Sequence, residues 1–165
     1  MPRVRLARLD DAEAIRSIYN LEVTGSTVTF DLVPRSPLDQ QRWLEQHAGA
    51  HPAVVAVDDE DEEDVVGFGS LSPYRSRPAY ATTVEDSVYV RRDRQRQGVG
   101  RALLHELLAL ATLHGFHSVI GRIVDGHQAS IGLHRLCGFE LVGVEKEVGR
   151  KFGRWLDVVV MQRLL

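Results

Sequence analysis

The stretch that decides the fold reads Gln95-Arg96-Gln97-Gly98-Val99-Gly100, and it lies between the two most strongly patterned elements of the chain. A strand predicted over 80–90 precedes it, and a helix predicted over 98–114 follows it with a wide apolar face. Free N–H groups at a helix N-terminus favour an anion, and glycines let the backbone approach it closely. The turn is therefore interpreted as a phosphate site to which Arg96 and Arg101 add charge. The alternative is a tight turn with solvated arginines.

Two other phosphate-binding motifs do not match this turn. The loop of nucleoside triphosphatases needs Gly-Lys-Ser/Thr, and no lysine follows these glycines. The dinucleotide fingerprint needs a third glycine where Leu103 stands, and it usually opens a domain, whereas this turn lies past mid-chain.

Outward from the turn, hydrophobic periodicity predicts the remaining elements. Asp10 is expected to cap the first helix, with Glu13 completing a capping box and Gly25 ending the helix, and a second helix is expected from Pro37. Residues 26–30 are expected to be extended. The other predicted elements are strands over 4–8, 53–57, 65–71, 118–124, 139–144 and 156–164, and a helix over 128–136. This order mixes hairpins with crossover helices and predicts an α/β (α+β) domain with a mixed sheet flanked by helices.

The length, charge and cysteine content narrow the class of protein. The 165 residues are expected to form a single domain, 1–165, and the net charge of −3 argues against a simple basic nucleic-acid binder. One cysteine excludes an intramolecular disulfide, and Cys137 is expected to be buried and structural. No signal peptide or membrane-spanning stretch is recognised, so a cytoplasmic protein without a membrane partner is expected. The run 58–64 is seven consecutive acids, interpreted as a solvated hairpin-loop insert, and without it the net charge becomes +4.

The turn, its Leu-rich helix, the next strand, the short helix and Gly138-Phe139 together resemble the GNAT superfamily of N-acetyltransferases. In that family the turn holds the pyrophosphate of acetyl-CoA. Further blocks resemble the phosphinothricin acetyltransferase group, whose members acetylate the α-amino group of phosphinothricin, methionine sulfoximine or methionine sulfone. These blocks are 19–20, 26–30, 74–80, 83–90, 129–134 and 148–158. The resemblance implies a three-layer fold, direct transfer from acetyl-CoA in a ternary complex, and a homodimer, with no metal and no nucleic-acid partner.

The resemblance also implies which residues bind acetyl-CoA. The strand segment Val88, Tyr89 and Val90 would hold the thioester and pantetheine through its backbone, with the N–H of Val88 or Val90 as the oxyanion donor. This role requires the strand to part from its neighbour. The remaining residues implied for acetyl-CoA are Arg96, Gln97, Gly98, Val99, Gly100, Arg101, His127 and Ser130. His127 departs from the family, which usually has Asn at that position.

Glu85 and His134 are the candidate catalytic residues. A glutamate inside a strand pattern is unusual if the strand is central, and the resemblance makes Glu85 the base that removes the amine proton. An edge or solvent-facing glutamate is the alternative. The resemblance also implies that His134 stands at the position of the group that protonates the CoA thiolate, and either a general acid or part of the base relay is possible. A helix-surface histidine is its alternative. His127 and His134 have no accompanying carboxylate or cysteine ligand set, so no metal site is expected.

The substrate site is expected to recognise a small zwitterion with an acidic or sulfone side chain. Arginine forks bind carboxylate and phosphinate groups in a bidentate manner, which suits Arg75 and Arg77, although a basic surface loop is the alternative. The residues implied for substrate binding are Phe30, Tyr74, Arg75, Ser76, Arg77, Glu85, Asp86, Ser87, Lys151 and Trp155. Two other functions remain open: a GNAT enzyme for a protein or peptide amine, and a non-catalytic acyl-CoA sensor.

Overall fold

One mixed sheet forms the centre of the structure, a computed structural model that describes residues 2–165. The elements in chain order are β1 (Arg3–Leu6), α1 (Ala12–Gly25), α2 (Pro37–Gln46), β2 (Ala53–Val57), β3 (Val65–Pro73), β4 (Thr83–Val90), α3 (Val99–Leu113), β5 (Ser118–Val124), α4 (Gln128–Leu136), β6 (Glu140–Lys151) and β7 (Arg154–Leu164). No helix within residues 2–165 combines the length and the apolar character needed to cross a membrane.

The seven strands of the described chain lie in the order β1-β2-β3-β4-β5-β7-β6, and β4 with β5 is the parallel pair. That pair is short, because only Thr83–Asp86 face Ser118–Gly121. Beyond Asp86, β4 stays paired with β3 as far as Val90, and β5 stays paired with β7 as far as Val124. The two central strands therefore part in the middle of the sheet.

Helices cover both faces of the sheet, as the three-layer prediction requires. Every residue of β2 is buried because the strand alternates between two apolar cores. Val54 and Ala56 pack in the core that contains α3, whereas Val55 and Val57 pack in the core that contains α1. The mixed sheet with helices on both faces is thus confirmed, and it is built from the periodic apolar residues that the sequence displays.

The capping prediction at Asp10 is wrong by one residue. A short 3-10 turn, Leu9–Asp11, precedes α1, and Asp11 is the residue at the helix start. The buried carboxylate of Asp11 accepts hydrogen bonds of 2.8 and 2.9 Å from the Arg5 guanidinium and one of 2.6 Å from the Arg8 N–H. Strand β1 delivers this arginine, a tertiary contact that local spacing does not reveal. Glu13 pairs instead with Arg16.

Three further boundaries differ from the sequence-based expectations. β4 begins at Thr83, because the proline-led segment Pro78–Tyr80 forms a 3-10 turn. Residues 26–30 do not form a strand, and the Thr29 carbonyl there accepts a 2.9 Å hydrogen bond from the buried Lys151 ammonium instead of a strand partner. β6 and β7 form a much longer hairpin than expected, with left-handed backbone at its tip residues Phe152 and Gly153.

The acidic run 58–64 is the β2–β3 hairpin loop that its composition predicts, but it is not isolated from the rest of the chain. Its middle is exposed, whereas Asp58 forms an ion pair with Arg94 at 2.7 Å and Asp64 one with Arg91 at 2.5 Å. The two ends of the loop are thereby fastened to the segment that leads into α3.

Candidate active site

The separation of β4 from β5 opens a gap bordered by the backbone of Ser87–Val90. The N–H of Arg91 donates to the Val66 carbonyl of β3 at 2.9 Å. Successive residues of a strand direct their backbone groups alternately to its two sides, so the backbone N–H of Tyr89 also faces β3. The N–H groups of Val88 and Val90 therefore face the gap, which is the geometry that an oxyanion donor needs.

The Gly98 turn lies next to this gap, at the start of α3. Gly98 has φ of +83° and Arg96 has φ of +60°, so the backbone turns through the left-handed region just before the helix. An added Cβ at Gly98 would meet no atom of residues 2–165 within 4 Å, so the backbone angle rather than crowding favours glycine there. At Gly100 crowding is what favours glycine, because an added Cβ would lie 3.1 Å from a methyl group of Leu133. The open N–H groups of this helix start fit a diphosphate.

Carboxylates hold three of the five arginines between residues 91 and 101. Arg91 pairs with Asp64 and Asp93, Arg92 pairs with Glu22, and Arg94 pairs with Asp58. Within residues 2–165, Arg96 and Arg101 form no ion pair, and the two residues lie on either side of Gly98 in the chain. The positive charge available to an anionic ligand is therefore concentrated on Arg96 and Arg101.

Glu85 lies half-buried on the face of β4 that α1 covers, the face to which Tyr89 also belongs. Burial raises the pKa of the Glu85 carboxyl, since the charged form loses water. The guanidinium of Arg122 opposes that shift, and the carboxylates of Asp86 and Glu145 add to it. A carboxylate with a raised pKa at the edge of the gap is suited to accept a proton from an ammonium group.

His134 lies on the opposite face, where α4 packs against the sheet. Its Nε2 is 2.9 Å from Oδ2 of Asp86, and its Nδ1 is 2.8 Å from the carbonyl oxygen of Ser130. The two side chains are only 5% and 1% exposed. Burial lowers the pKa of His134, but the hydrogen bond and charge of Asp86, together with the Ser130 carbonyl, outweigh it and raise the pKa above its ordinary value.

Gly121 of β5 makes room for this pair. A Cβ built on Gly121 would lie 2.7 Å from Cδ2 and 2.9 Å from Nε2 of His134, and 3.2 Å from Oδ1 of Asp86. Gly121 is also the last residue of β5 that pairs with β4. The histidine and its carboxylate partner therefore lie at the point where the two strands part.

Two residues expected to contact the substrate have buried side chains that are engaged within the protein, and their roles toward a substrate stay predictions. Asp86 faces away from Glu85, since neighbouring strand residues point to opposite faces, and it is engaged with His134. Lys151 is 3% exposed, and its ammonium donates to the Thr29 carbonyl, so it holds the α1–α2 loop in place. Phe30 of the same loop lies directly over Gly149, where a Cβ would overlap its ring.

The other expected substrate residues remain accessible. The guanidinium of Arg75 lies 4.9 Å from the Tyr74 ring centroid and 5.4 Å from that of Tyr80. Together with Ser76, Arg77 and Tyr80, it lines a cavity of about 570 Å³. Ser87 shares the Glu85 face by strand alternation, and Trp155 is exposed on β7 with Arg150 over its ring. Their contacts with a substrate stay predictions.

His127 immediately precedes α4, and its Nε2 is 3.0 Å from Oγ1 of Thr27 in the α1–α2 loop. Burial lowers the pKa of His127, and the charge of Glu22 opposes that shift. The contact joins the α1–α2 loop, which also carries Phe30, to the start of the helix that carries His134. Ser130 contributes its carbonyl oxygen to His134, as described above.

Sequence reasoning missed a cluster around Arg35. Its guanidinium lies 3.7 Å from the Tyr19 ring centroid and 4.8 Å from that of Trp43. The Asn20 amide both donates to and accepts from the Arg35 backbone, at 2.9 and 2.8 Å. The one sequence feature that pointed to this cluster was the Tyr19-Asn20 block, which is part of the family resemblance but was given no role. Among residues 2–165, no group of three or more His, Cys, Asp or Glu side chains could hold a metal ion.

The gap, the Gly98 turn and the buried histidine lie together around the end of the β4–β5 pairing. The acetyltransferase (GNAT) family model matches residues 13–139, and the chain belongs to this family of N-acetyltransferases, which use acetyl-CoA.

Individual relatives match nearly the whole chain. It is 42% identical to the phosphinothricin N-acetyltransferase of Alcaligenes faecalis, over 98% of this chain and 82% of that protein. It is 39% identical to the L-methionine sulfoximine/L-methionine sulfone acetyltransferase of Pseudomonas aeruginosa, over 96% and 92%. Solved structures include a phosphinothricin acetyltransferase from Sinorhizobium meliloti in complex with acetyl-CoA, with TM-score 0.93, 38% identity and coverage of 99% and 88%. Another is a ribosomal-protein-alanine N-acetyltransferase from Brucella melitensis, with TM-score 0.94, 36% identity and coverage of 99% of both chains.

Proposed function

We propose that this protein acetylates the α-amino group of a small amino acid such as phosphinothricin, methionine sulfoximine or methionine sulfone. The observation that carries the proposal is the gap between β4 and β5, with Glu85 on one face and His134 at its apex. The names of the Alcaligenes faecalis and Pseudomonas aeruginosa relatives support this substrate class.

Acetyl-CoA supplies the acetyl thioester, and the chain's own residues arrange its attack by the amine. The turn from Arg96 to Arg101 binds the diphosphate through the start of α3 and two arginines. The N–H groups of Val88 and Val90 face the gap and stabilise the negative charge that develops on the thioester oxygen. His127 and Ser130, at the start of α4, border the pantetheine arm.

Glu85 takes the proton that the substrate ammonium must lose before its nitrogen can attack. Its raised pKa, caused first by burial, makes the carboxylate a stronger base than an exposed glutamate. His134, whose pKa is raised, stays protonated at higher pH than an ordinary histidine and is the proton source for the departing thiolate. Base and acid thus lie on opposite faces of one strand, which argues against a direct relay between them.

The side chain of the substrate is recognised by the loop that carries Arg75 and Arg77. Tyr74 and Tyr80 hold Arg75 by cation–π contacts, which orients its fork toward an anionic or strongly polar group. A phosphinate, sulfoximine or sulfone offers the paired oxygen or nitrogen acceptors that such a fork binds.

The protein is further proposed to act as a homodimer in the cytoplasm. The β6–β7 hairpin exposes several large apolar side chains, and exposed apolar surface is typical of protein interfaces. Those side chains are Leu141, Val142, Val144, Val148 and Trp155.

A thiol-release assay with acetyl-CoA and a panel of free amino acids tests the function. The panel contains phosphinothricin, methionine sulfoximine, methionine sulfone and unoxidised methionine, with an alanine-starting peptide added. We expect release with at least one of the first three and much less with methionine, which lacks the polar oxygens. Release with the peptide alone would favour the second candidate, a protein N-terminus, which the Brucella melitensis structure supports. Acetyl-CoA binding without any release would identify a sensor.

A further inference from the structure

The role of Asp86 follows from the hydrogen bonds of the His134 ring. The Ser130 carbonyl can only accept, so Nδ1 of His134 carries a proton. Nε2 faces a carboxylate oxygen at 2.9 Å, and two acceptors cannot bond to each other without a proton between them. The pair therefore holds one proton more than a neutral imidazole beside an ionised carboxylate.

Burial makes this arrangement costly to disturb. The Asp86 side chain is 1% exposed and the His134 side chain 5%, and an isolated buried charge on either would be strongly unfavourable. Phe139 closes the site with its ring edge-on to the imidazole at a centroid distance of 4.9 Å. The second carboxylate oxygen, Oδ1, is buried without a hydrogen-bond partner among residues 2–165 and lies beside Gly121.

We propose that Asp86 is a positioning residue that keeps His134 doubly protonated and fixed in orientation at the apex of the β4–β5 gap, and that Gly121 provides the space this pair needs. Its kinetic consequence depends on the proposed acetyltransferase function. The pair itself is a property of the free protein. Asp86 thereby acts on the reaction through the histidine and does not contact the amine.

Other titratable groups lie near the pair, and their titrations have to be distinguished from that of His134. Cys137 follows on the same helix end, and burial raises the pKa of its thiol, while Arg101 of α3 and Arg163 of β7 oppose that shift. Glu85 lies on the other face of β4. A residue-specific measurement on the imidazole distinguishes these groups, whereas a pH–rate profile alone does not.

The test combines nitrogen-15 NMR of the histidine rings with kinetics of three variants. In the free wild type we expect the His134 ring to be protonated on both nitrogens at pH 7, above the ordinary histidine pKa of about 6.5. In Asp86→Asn the ring should be neutral at pH 7, with its proton on Nδ1. The kcat should fall at least tenfold, the KM for acetyl-CoA should change less than about threefold, and the alkaline limb of the kcat profile should move to lower pH.

Gly121→Ala provides a second route to the same result if Asp86→Asn folds poorly. Its new methyl group displaces the imidazole while both titratable groups remain, so kcat should again fall at least tenfold. Gly132→Ala on α4 is the matched control, because a Cβ there meets no atom of the described chain within 4 Å, and its kcat should match that of wild type.

A wild-type His134 that is neutral at pH 7, or a titration that Asp86→Asn leaves unchanged, would overturn the proposal. So would wild-type kcat in both Asp86→Asn and Gly121→Ala. If no amine is acetylated by the wild type, the proposed function fails, while the NMR titration still decides whether the pair exists.

Discussion

Glu85 and Asp86 are adjacent carboxylates on β4, and the fold gives them opposite environments. Glu85 is half-buried on the α1 face beside the Arg122–Glu145 ion pair, and burial raises its pKa. Asp86 is buried on the α4 face, with its Oδ2 2.9 Å from Nε2 of His134. Strand alternation alone separates them, because it sends neighbouring side chains to different layers of the fold. One carboxylate is thereby available for a substrate, and the other is committed to a partner inside the protein.

The largest expected effect comes from replacing Glu85, the half-buried carboxylate of the two. Glu85→Gln keeps the shape but cannot accept the ammonium proton, so kcat should fall about 10²- to 10⁴-fold, the range of general base catalysis. Thiol release at saturating substrate measures it. Glu145→Gln on the same face of the sheet is the control and should retain nearly full activity. If Glu85→Gln retains kcat within threefold of wild type, the base lies elsewhere.

The second prediction concerns stability, for which replacing Asp86 should have a larger effect than replacing Glu85. Asp86→Asn leaves a buried histidine without its charged partner, and breaking such a pair costs about 3–5 kcal/mol. In a chain of this length that is a drop of roughly 10 °C in Tm. Glu85→Gln should not lower Tm at neutral pH. Calorimetry of both variants at pH 7 measures the contrast, and equal losses would show that the two environments do not differ as described.

The pH dependence of stability should distinguish the two carboxylates more finely. The pKa of Glu85 is raised in the folded state, so its favourable contribution is complete below its ordinary value of 4.5 and is lost as pH rises through the folded value. Glu85→Gln should therefore match wild type at pH 4 and exceed it slightly at pH 8. Tm values measured at both pH values decide this, and a variant that is less stable at pH 8 would contradict the shift.

The contribution of His134 to stability changes with pH in the same direction as that of Glu85, but over a higher pH range. Its pKa is raised, so its contribution is complete below its ordinary value of 6.5 and is lost as pH rises through the folded value. The advantage of wild type over Asp86→Asn should consequently shrink between pH 7 and pH 10, as the imidazole loses its second proton. A Tm difference that grows over this range would mean that the pair does not stabilise the protonated histidine.

The sequence predicted the sheet and both helical layers because those elements depend on the periodic spacing of apolar residues. It also placed the turn at Gly98, where local chemistry is sufficient. It did not predict the partner of Asp86, since a carboxylate before Ser87 in a strand pattern is equally compatible with a substrate contact. It did not predict the partner of Lys151 either, since the Thr29 carbonyl lies 122 positions away in the sequence. Long-range pairing of polar groups is what periodicity does not encode.

The smallest predicted effect lies in the acidic hairpin, the exposed counterpart of the buried Asp86–His134 pair. Asp64→Asn removes one of the two carboxylates that pair with Arg91, the one at 2.5 Å, and leaves Asp93 in place at 2.8 Å. The field at the Gly98 turn becomes more positive. We expect acetyl-CoA to bind up to about threefold more tightly at low salt, because exposed ion pairs contribute little and salt screens them. Calorimetric titration at two salt concentrations measures this.

Glu60→Gln in the same loop is the matched control, because it makes the same charge change at an exposed residue outside these ion pairs. If both variants shift the Kd equally, the hairpin acts only through its total charge. If Asp64→Asn alone does so, the carboxylate acts by holding a particular arginine, as Asp86 holds His134. The Asp64–Arg91 pair and the buried Asp86–His134 pair would then act in the same way, and only the size of their effects would differ.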